Sequence, residues 1–268
     1  MKLVFANARK CQQFAAMFAN LKSFTDNVSI YFKEESVYIQ TMDDSHCSLF
    51  ECRLMSKWFK TYQFDPNTDM GQIAINIVML NKVLNTLSDS QELSIEIEPD
   101  SDKIHINFEN NNTDTSQFNK YYELPLITLE NQLLDAIVGD TLVDLNIDSK
   151  MFHSLMNQLT MFNDNLKITF NEEDIEFTSA GSEGRMTAKI KAEDLAGYAI
   201  PEETVLTQTY SLKYVQMMAT FNKLAPEMEL GFSAEMPMLM KYALGDNNDP
   251  ESFVRIHLAP KIVDEDTE

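Results

Sequence analysis

The side chains that could catalyse a reaction or bind a metal ion are few, and they are poorly spaced for either purpose. His46 lies beside Cys47, and Cys52 follows five residues later, but this spacing matches no standard zinc pattern. We therefore expect an ordinary strand and turn with buried thiols here. His105 and His153 have no partner that is visible in the sequence. The sequence predicts no catalytic residue, no metal site and no cofactor.

Adjacent carboxylates occur at Glu34-Glu35, Asp43-Asp44 and Glu172-Glu173. Neighbouring residues of a strand point to opposite faces, so the two members of a pair cannot share one catalytic site. Solvated turns explain these pairs better than acid–base catalysis does. A metal-dependent nuclease that uses the acidic clusters is the alternative from the enzyme class, and it predicts magnesium-dependent cleavage.

The composition narrows the class of protein further. The chain has only seven glycines, and neither the P-loop nor the dinucleotide-binding pattern occurs, so we expect no nucleotide hydrolysis. A net charge of −21 argues against a broad nucleic-acid-binding surface, although one basic channel remains compatible with that sum. No apolar run approaches the roughly 20 residues of a membrane span. An odd count of three cysteines fits a reducing compartment, so we expect a soluble intracellular protein.

An internal repeat predicts two similar domains. Residues 14–39 align with residues 152–177, and identical residues are spread through a helical pattern and the strand pattern after it. Each half also has two stripes of apolar residues at helical spacing. The four stripes are Phe14, Met17, Phe18, Leu21; Leu80, Val83, Leu84, Leu87; Phe152, Leu155, Met156, Leu159; and Leu212, Val215, Met218, Ala219.

Most remaining segments alternate with period two and are joined by turns too short for crossovers, which favours antiparallel sheets. The predicted fold class is therefore α+β: two similar domains of antiparallel sheet with two helices each, the helices on one sheet face and solvent on the other. We predict an N-terminal domain over 1–125, an interdomain connector over 126–143 and a C-terminal domain over 144–268. The connector is apolar for a linker, so we expect it to pack on a surface.

Three segments resemble the proliferating cell nuclear antigen family of sliding clamps: Val37–Leu49, Phe232–Pro237 and Leu258–Ile262. The similarity runs from end to end. It implies the DNA clamp fold and a ring of three identical subunits that is threaded by duplex DNA and does no bond chemistry. The implied function is a processivity factor for DNA polymerase that also recruits repair proteins.

The resemblance implies that basic residues on the four helices face DNA phosphates while the acidic excess lies outward. The implied DNA-binding residues are Arg9, Lys10, Lys22, Lys82, Lys150, Lys213 and Lys223. Such contacts need no base recognition. Positions that are often basic in the family are Ala15, Ala16, Ser154 and Asn157 here, which implies weaker contact with DNA.

The resemblance also implies a groove beneath the connector for partner peptides that carry a glutamine, an aliphatic residue and two aromatic residues. The implied groove residues are Met42, His46, Cys47, Leu49, Leu134, Ala136, Pro237, His257, Leu258, Ala259 and Pro260. The implied partners are DNA polymerase, the clamp loader, flap endonuclease and DNA ligase. The implied subunit interface pairs the strand of Tyr122 with the strand of Lys189 in the next subunit.

One alternative within the same class is a subunit of a variant checkpoint or repair clamp. Such relatives form rings from different subunits, so a chain that trimerises alone would exclude this alternative. The expected location is the nucleus or a cytoplasmic replication site of viral type.

Overall fold

The computed structural model describes residues 1–65, 71–99, 101–110, 118–130, 133–134, 139–245, 249 and 251–262. The chain divides into two compact units. Unit 1 comprises Met1–Asp44, Phe50–Leu134 and Ala243–Val254, and unit 2 comprises Ser45–Leu49, Asp135–Tyr242 and Arg255–Glu268. The domain limits at 125 and 143 stay predictions. Ala136 lies outside the described residues.

The N-terminal half alternates antiparallel strands with two helices. Its elements are β1 (Lys2–Phe5), α1 (Ala8–Leu21), β2 (Asn27–Phe32), β3 (Ser36–Met42), β4 (Ser48–Met55), β5 (Phe59–Gln63), β6 (Gln72–Asn76), α2 (Ile77–Leu84), β7 (Gln91–Glu96), β8 (Lys103–Asn110) and β9 (Lys120–Pro125). One sheet has the order β5-β1-β7-β8-β9 with antiparallel neighbours. In a second group, β2 pairs antiparallel with both β3 and β6.

The C-terminal half repeats this plan. Its elements are β10 (Val143–Asp148), α3 (Ser149–Leu159), β11 (Asn165–Phe170), β12 (Asp174–Gly181), β13 (Gly184–Lys191), β14 (Gly197–Ala199), β15 (Leu206–Ser211), α4 (Leu212–Ala219), β16 (Glu227–Phe232), β17 (Met238–Ala243) and β18 (Phe253–Leu258). Antiparallel partners follow the orders β14-β10-β16-β17 and β13-β12-β11-β15. The predicted fold class is therefore confirmed, and α1-β2-β3 corresponds to α3-β11-β12 as the repeat indicates.

Side-chain caps and apolar stripes explain where the helices begin and which face they bury. Asn7, Asn76 and Asp148 each accept a hydrogen bond from a main-chain N–H in the first turn of α1, α2 and α3, over 2.7–3.0 Å. The predicted stripes of α1 and α4 are fully buried. Two residues of the other stripes differ: Leu87 lies beyond the end of α2 and is half-buried, and Leu155 of α3 is also half-buried.

Strand β3 contradicts the expectation that one face of the sheet meets solvent. Residues 36–40 are all buried, which requires cover on both faces of the strand. Part of the predicted connector supplies this cover within unit 1, because Gln40 is hydrogen-bonded to the main chain of Leu134. Farther along, Ile127 forms an isolated bridge with Ala74 of β6. These contacts hold the main chain, whereas the side chains of Leu133 and Leu134 are 42% and 48% exposed, so the expected packing of the apolar connector side chains stays a prediction.

No helix in the described part of the chain is long and apolar enough to cross a membrane.

Candidate nucleic-acid interface and partner groove

The groups with potential for chemistry stay dispersed in the structure. The described residues contain no group of three or more His, Cys, Asp or Glu side chains that could hold a metal ion. Burial raises the pKa of the Cys52 thiol, which keeps it protonated and unreactive. The pairs at Glu34-Glu35 and Glu172-Glu173 are exposed, as expected for turns. The prediction of a solvated turn is wrong for Asp43, whose side chain is buried and only 5% exposed.

The charge of the four helices is opposite in sign to that of the whole chain. The chain has 42 acidic residues, yet no Asp or Glu lies in α1, α2, α3 or α4. The helices themselves contain Arg9, Lys10, Lys82, Lys150 and Lys213, while Lys22 is the C-cap residue of α1 and Lys223 ends the short 3-10 helix after α4. The absence of acidic residues can be seen in the amino-acid order only once the helix limits are known.

In unit 1 the basic residues lie at both ends of the helix pair α1 and α2. Lys22 follows α1, and Lys82 is in the last turn of α2, where a cation also interacts favourably with the helix dipole. Both side chains are exposed, and so is Arg9 in the first turn of α1. Lys10 differs, because its ammonium group lies 4.8 Å from the centre of the Trp58 ring and its side chain is half-buried.

In unit 2 two lysines occupy positions that helix stability disfavours. Lys150 and Lys213 are the second residues of α3 and α4, where the positive end of the helix dipole repels a cation. Both are exposed, as is Lys223. The ammonium group of Lys213 also lies 5.9 Å from the centre of the Tyr214 ring.

Neutral hydrogen-bonding groups connect α3 with α4 on the surface of unit 2. The Gln216 amide donates to Asn157 Oδ1 over 2.7 Å, and Asn157 Nδ2 lies 3.4 Å from His153 Nε2. Nearby, Gln158 donates to the Ser154 hydroxyl. Two of the four positions that are often basic in the resembled family, Ser154 and Asn157, thus belong to this polar network.

Two of the predicted groove residues belong to unit 1. Met42 ends β3 and is half-buried, whereas the side chain of Leu134 is 48% exposed. The main chain of Leu134 is held firmly, because its N–H donates to Gln40 Oε1 over 2.7 Å and its carbonyl accepts from Gln40 Nε2 over 2.9 Å. Sequence reasoning did not find Gln40, since nothing in its local pattern indicates a partner 94 residues away.

The remaining described groove residues belong to unit 2. Ala259 donates its main-chain N–H to the Cys47 carbonyl over 3.1 Å, which joins the His46–Cys47 turn to the C-terminal segment. His46 has a left-handed backbone with φ 55°, and its side chain is exposed. Two further groove residues are exposed, Pro237 and Ala259, and four are half-buried: Cys47, Leu49, His257 and Pro260. Leu258 is 1% exposed, so its side chain belongs to the core.

The residues of the predicted subunit interface lie on two edge strands. Among the described strands, β9 pairs only with β8, and β13 pairs only with β12. Tyr122 on β9 is half-buried, and its hydroxyl lies 2.8 Å from the Thr86 hydroxyl. Lys189 on β13 is exposed and forms ion pairs with Glu176 and Asp174; the hydrogen bond to Glu176 is the main cause of its raised pKa. Open main-chain edges of this kind are available for pairing with another chain.

Two similar domains of antiparallel sheet, each with a pair of helices, are consistent with the DNA clamp fold. The comparisons with known proteins identify the family. The profile of the proliferating cell nuclear antigen N-terminal domain matches residues 6–133, and that of the C-terminal domain matches residues 140–261. The chain therefore belongs to the proliferating cell nuclear antigen family and is a DNA sliding clamp that acts in replication processivity and DNA repair.

Curated relatives agree along nearly the whole chain. Proliferating cell nuclear antigen 1 of Plasmodium falciparum is 27% identical over 262 residues, covering 93% of this chain and 93% of the relative. Proliferating cell nuclear antigen 2 of Drosophila melanogaster is 26% identical over 246 residues, with 92% of each chain covered. Proliferating cell nuclear antigen of Chaetomium thermophilum is 24% identical over 253 residues, covering 92% of this chain and 93% of the relative.

Proposed function

We propose that the chain forms a homotrimeric ring around duplex DNA, that its helices face the phosphates, and that it tethers partner proteins without catalysing a reaction. The sign of the charge on the helices carries this proposal. A duplex presents one phosphate charge per roughly 1.7 Å of its axis, so acidic side chains on a facing surface would be repelled. Basic residues without acids on the helices, within a chain of net charge −21, suit one anionic ligand at one surface.

A matched pair of charge reversals tests the DNA-facing role. The test variant combines Lys22→Glu, Lys82→Glu and Lys213→Glu, all at exposed positions on or beside the helices. The control variant combines Lys33→Glu, Lys57→Glu and Lys167→Glu, which are exposed, lie outside the four helices and change the net charge equally. Equal changes in net charge separate a local contact from the general repulsion of DNA by a more acidic protein.

The measurement is the affinity for a short duplex at several salt concentrations. Each lysine that contacts a phosphate should contribute about one unit to the slope of log affinity against log salt. We expect the test variant to bind more weakly and with a shallower slope, and the control variant to keep the wild-type slope. Equal slopes for the two variants would contradict the proposed orientation of the helices.

The proposed trimer joins β9 of one subunit to β13 of the next. Both are edge strands in the described chain, and an extended partner strand would satisfy their open main-chain groups. Light scattering of the purified chain should give the mass of three subunits at micromolar concentration. A monomer would instead favour a variant clamp that needs different subunits.

The proposed residues for binding partner peptides are Met42 and Leu134 in unit 1, and His46, Cys47, Leu49, Pro237, His257, Ala259 and Pro260 in unit 2. Partners that dock a short helical turn with apolar anchors, among them DNA polymerase, the clamp loader, flap endonuclease and DNA ligase, would share these residues and gain effective concentration on DNA. The proposed place of action is the nucleus or a cytoplasmic replication site of viral type.

A further inference from the structure

A buried glutamine holds the main chain of the segment that carries Leu134. Gln40 on β3 is 6% exposed. Its side-chain amide makes two hydrogen bonds to one residue, donating to the Leu134 carbonyl over 2.9 Å and accepting from the Leu134 N–H over 2.7 Å. A neighbouring β-strand makes the same reciprocal pair of bonds with its main chain. The side chain of Gln40 thus takes the place of a strand partner for Leu134.

A second pair of buried side chains fixes the orientation of this amide. Gln40 Nε2 also donates to the Tyr38 hydroxyl over 3.2 Å, and that hydroxyl donates to Glu51 Oε1 over 2.6 Å. A hydroxyl has one proton to give, so the Tyr38 oxygen accepts from Gln40, and Nε2 must face it. The reversed amide would set its oxygen against the hydroxyl oxygen and mismatch both bonds to Leu134.

The held main chain of Leu134 contrasts with its side chain, which is 48% exposed. A binding surface that is already ordered spares its ligand the entropy of ordering it. We infer that Gln40 is a positioning residue for partner peptides: it holds Leu134 so that the apolar side chain is presented at a fixed place, and Tyr38 and Glu51 orient its amide. This inference rests on the proposed function of the groove.

The first test is Gln40→Leu, which replaces the amide by an apolar side chain of similar size and removes both hydrogen bonds to Leu134. If Leu134 is then held in place only about a tenth of the time, the apparent affinity falls about tenfold. We expect this loss in calorimetric titration with a synthetic peptide bearing a glutamine, one aliphatic and two aromatic anchors. Hydrogen exchange at the Leu134 amide should become faster, because that N–H loses its acceptor.

The second test is Gln40→Glu, for which we measure the pH dependence of peptide affinity. A purely structural role of Gln40 would not produce such a dependence. A protonated carboxyl offers one donor and one acceptor and can restore the two bonds to Leu134, although not the bond to the Tyr38 hydroxyl, whereas an ionised carboxylate offers only acceptors. Burial raises the pKa of the introduced carboxyl, so its neutral form gains as the pH falls. Peptide affinity, measured relative to wild type, should therefore recover between about pH 8 and about pH 5.5 for Gln40→Glu and stay low for Gln40→Leu.

The outcomes separate this inference from the proposed groove. Wild-type affinity of Gln40→Leu, together with weak binding by Leu134→Asp, would overturn the role of Gln40 and leave the groove standing. Wild-type affinity of Leu134→Asp would overturn the groove itself. If Gln40→Leu fails to fold, Tyr38→Phe serves instead, since it removes only the orienting hydroxyl. We expect Tyr38→Phe to weaken peptide affinity about two- to threefold. An unchanged affinity of this variant would also count against the role of Gln40.

Discussion

The substitution Leu134→Asp tests the proposed partner groove at its most accessible apolar residue. It places a carboxylate where an aromatic anchor of a partner peptide would dock. The side chain of Leu134 is 48% exposed, and the contacts that hold this residue run through its main chain to Gln40. A surface change of this kind usually alters the free energy of unfolding by less than about 0.5 kcal/mol. The fold should therefore survive.

The expected loss of binding follows from the exposed part of the side chain. Burying a whole leucine side chain contributes about 1.5–3 kcal/mol, so the exposed half of Leu134 has about 0.7–1.5 kcal/mol to contribute to a bound peptide. Desolvating a carboxylate against an aromatic ring adds a further penalty. We expect a total loss of at least about 1.4 kcal/mol, which is a tenfold weaker affinity.

Calorimetric titration of the synthetic anchor peptide into the wild type and the variant measures this difference. Val205→Asp is the matched control, because Val205 is 68% exposed in unit 2 and the same change of an exposed apolar residue should leave the affinity unaltered. Equal affinities for Leu134→Asp and the wild type would refute the placement of Leu134 in the groove. Loss of the trimer would show instead that Leu134 supports the assembly.

Two further predictions concern the core and the thiols. Phe18→Ala should lower the free energy of unfolding by about 3–5 kcal/mol, because Phe18 is fully buried and its ring meets the Phe14 ring edge-on at 4.8 Å between centres. Urea unfolding measures this free energy, and a loss below about 1 kcal/mol would contradict the packing. Iodoacetamide should label Cys47 in the native protein before Cys11 and Cys52. Cys47 is half-buried, whereas burial shields the other two thiols and raises their pKa. Mass spectrometry of timed samples measures the order of labelling, and early labelling of Cys52 would refute this prediction.

The elements of this protein were predictable because their signals are local. The helical stripe of Phe14, Met17, Phe18 and Leu21 and the alternating burial of β7 and β10 follow from periodicities of 3.6 and 2. The repeat between residues 14–39 and 152–177 indicated two similar domains. The resemblance carried the rest of the interpretation, since DNA binding could not be read from a net charge of −21.

The limits of the helices reveal one further property of the sequence. The absence of acidic residues from the helices is a property of the amino-acid order, but it becomes visible only when each helix begins and ends at a defined residue. Lys150 and Lys213 illustrate this, because their position near a helix N-terminus is known only once the helix limits are known.

Only the tertiary structure decided which residues share a contact across long separations. Asp43 is buried although an acidic pair suggests a solvated turn, because burial depends on segments that pack from elsewhere in the chain. β3 is buried on both faces, which alternation cannot predict for a strand covered by a distant segment. The hydrogen bonds between Gln40 and Leu134 span 94 residues, and a glutamine in a strand pattern has no local feature that marks its partner.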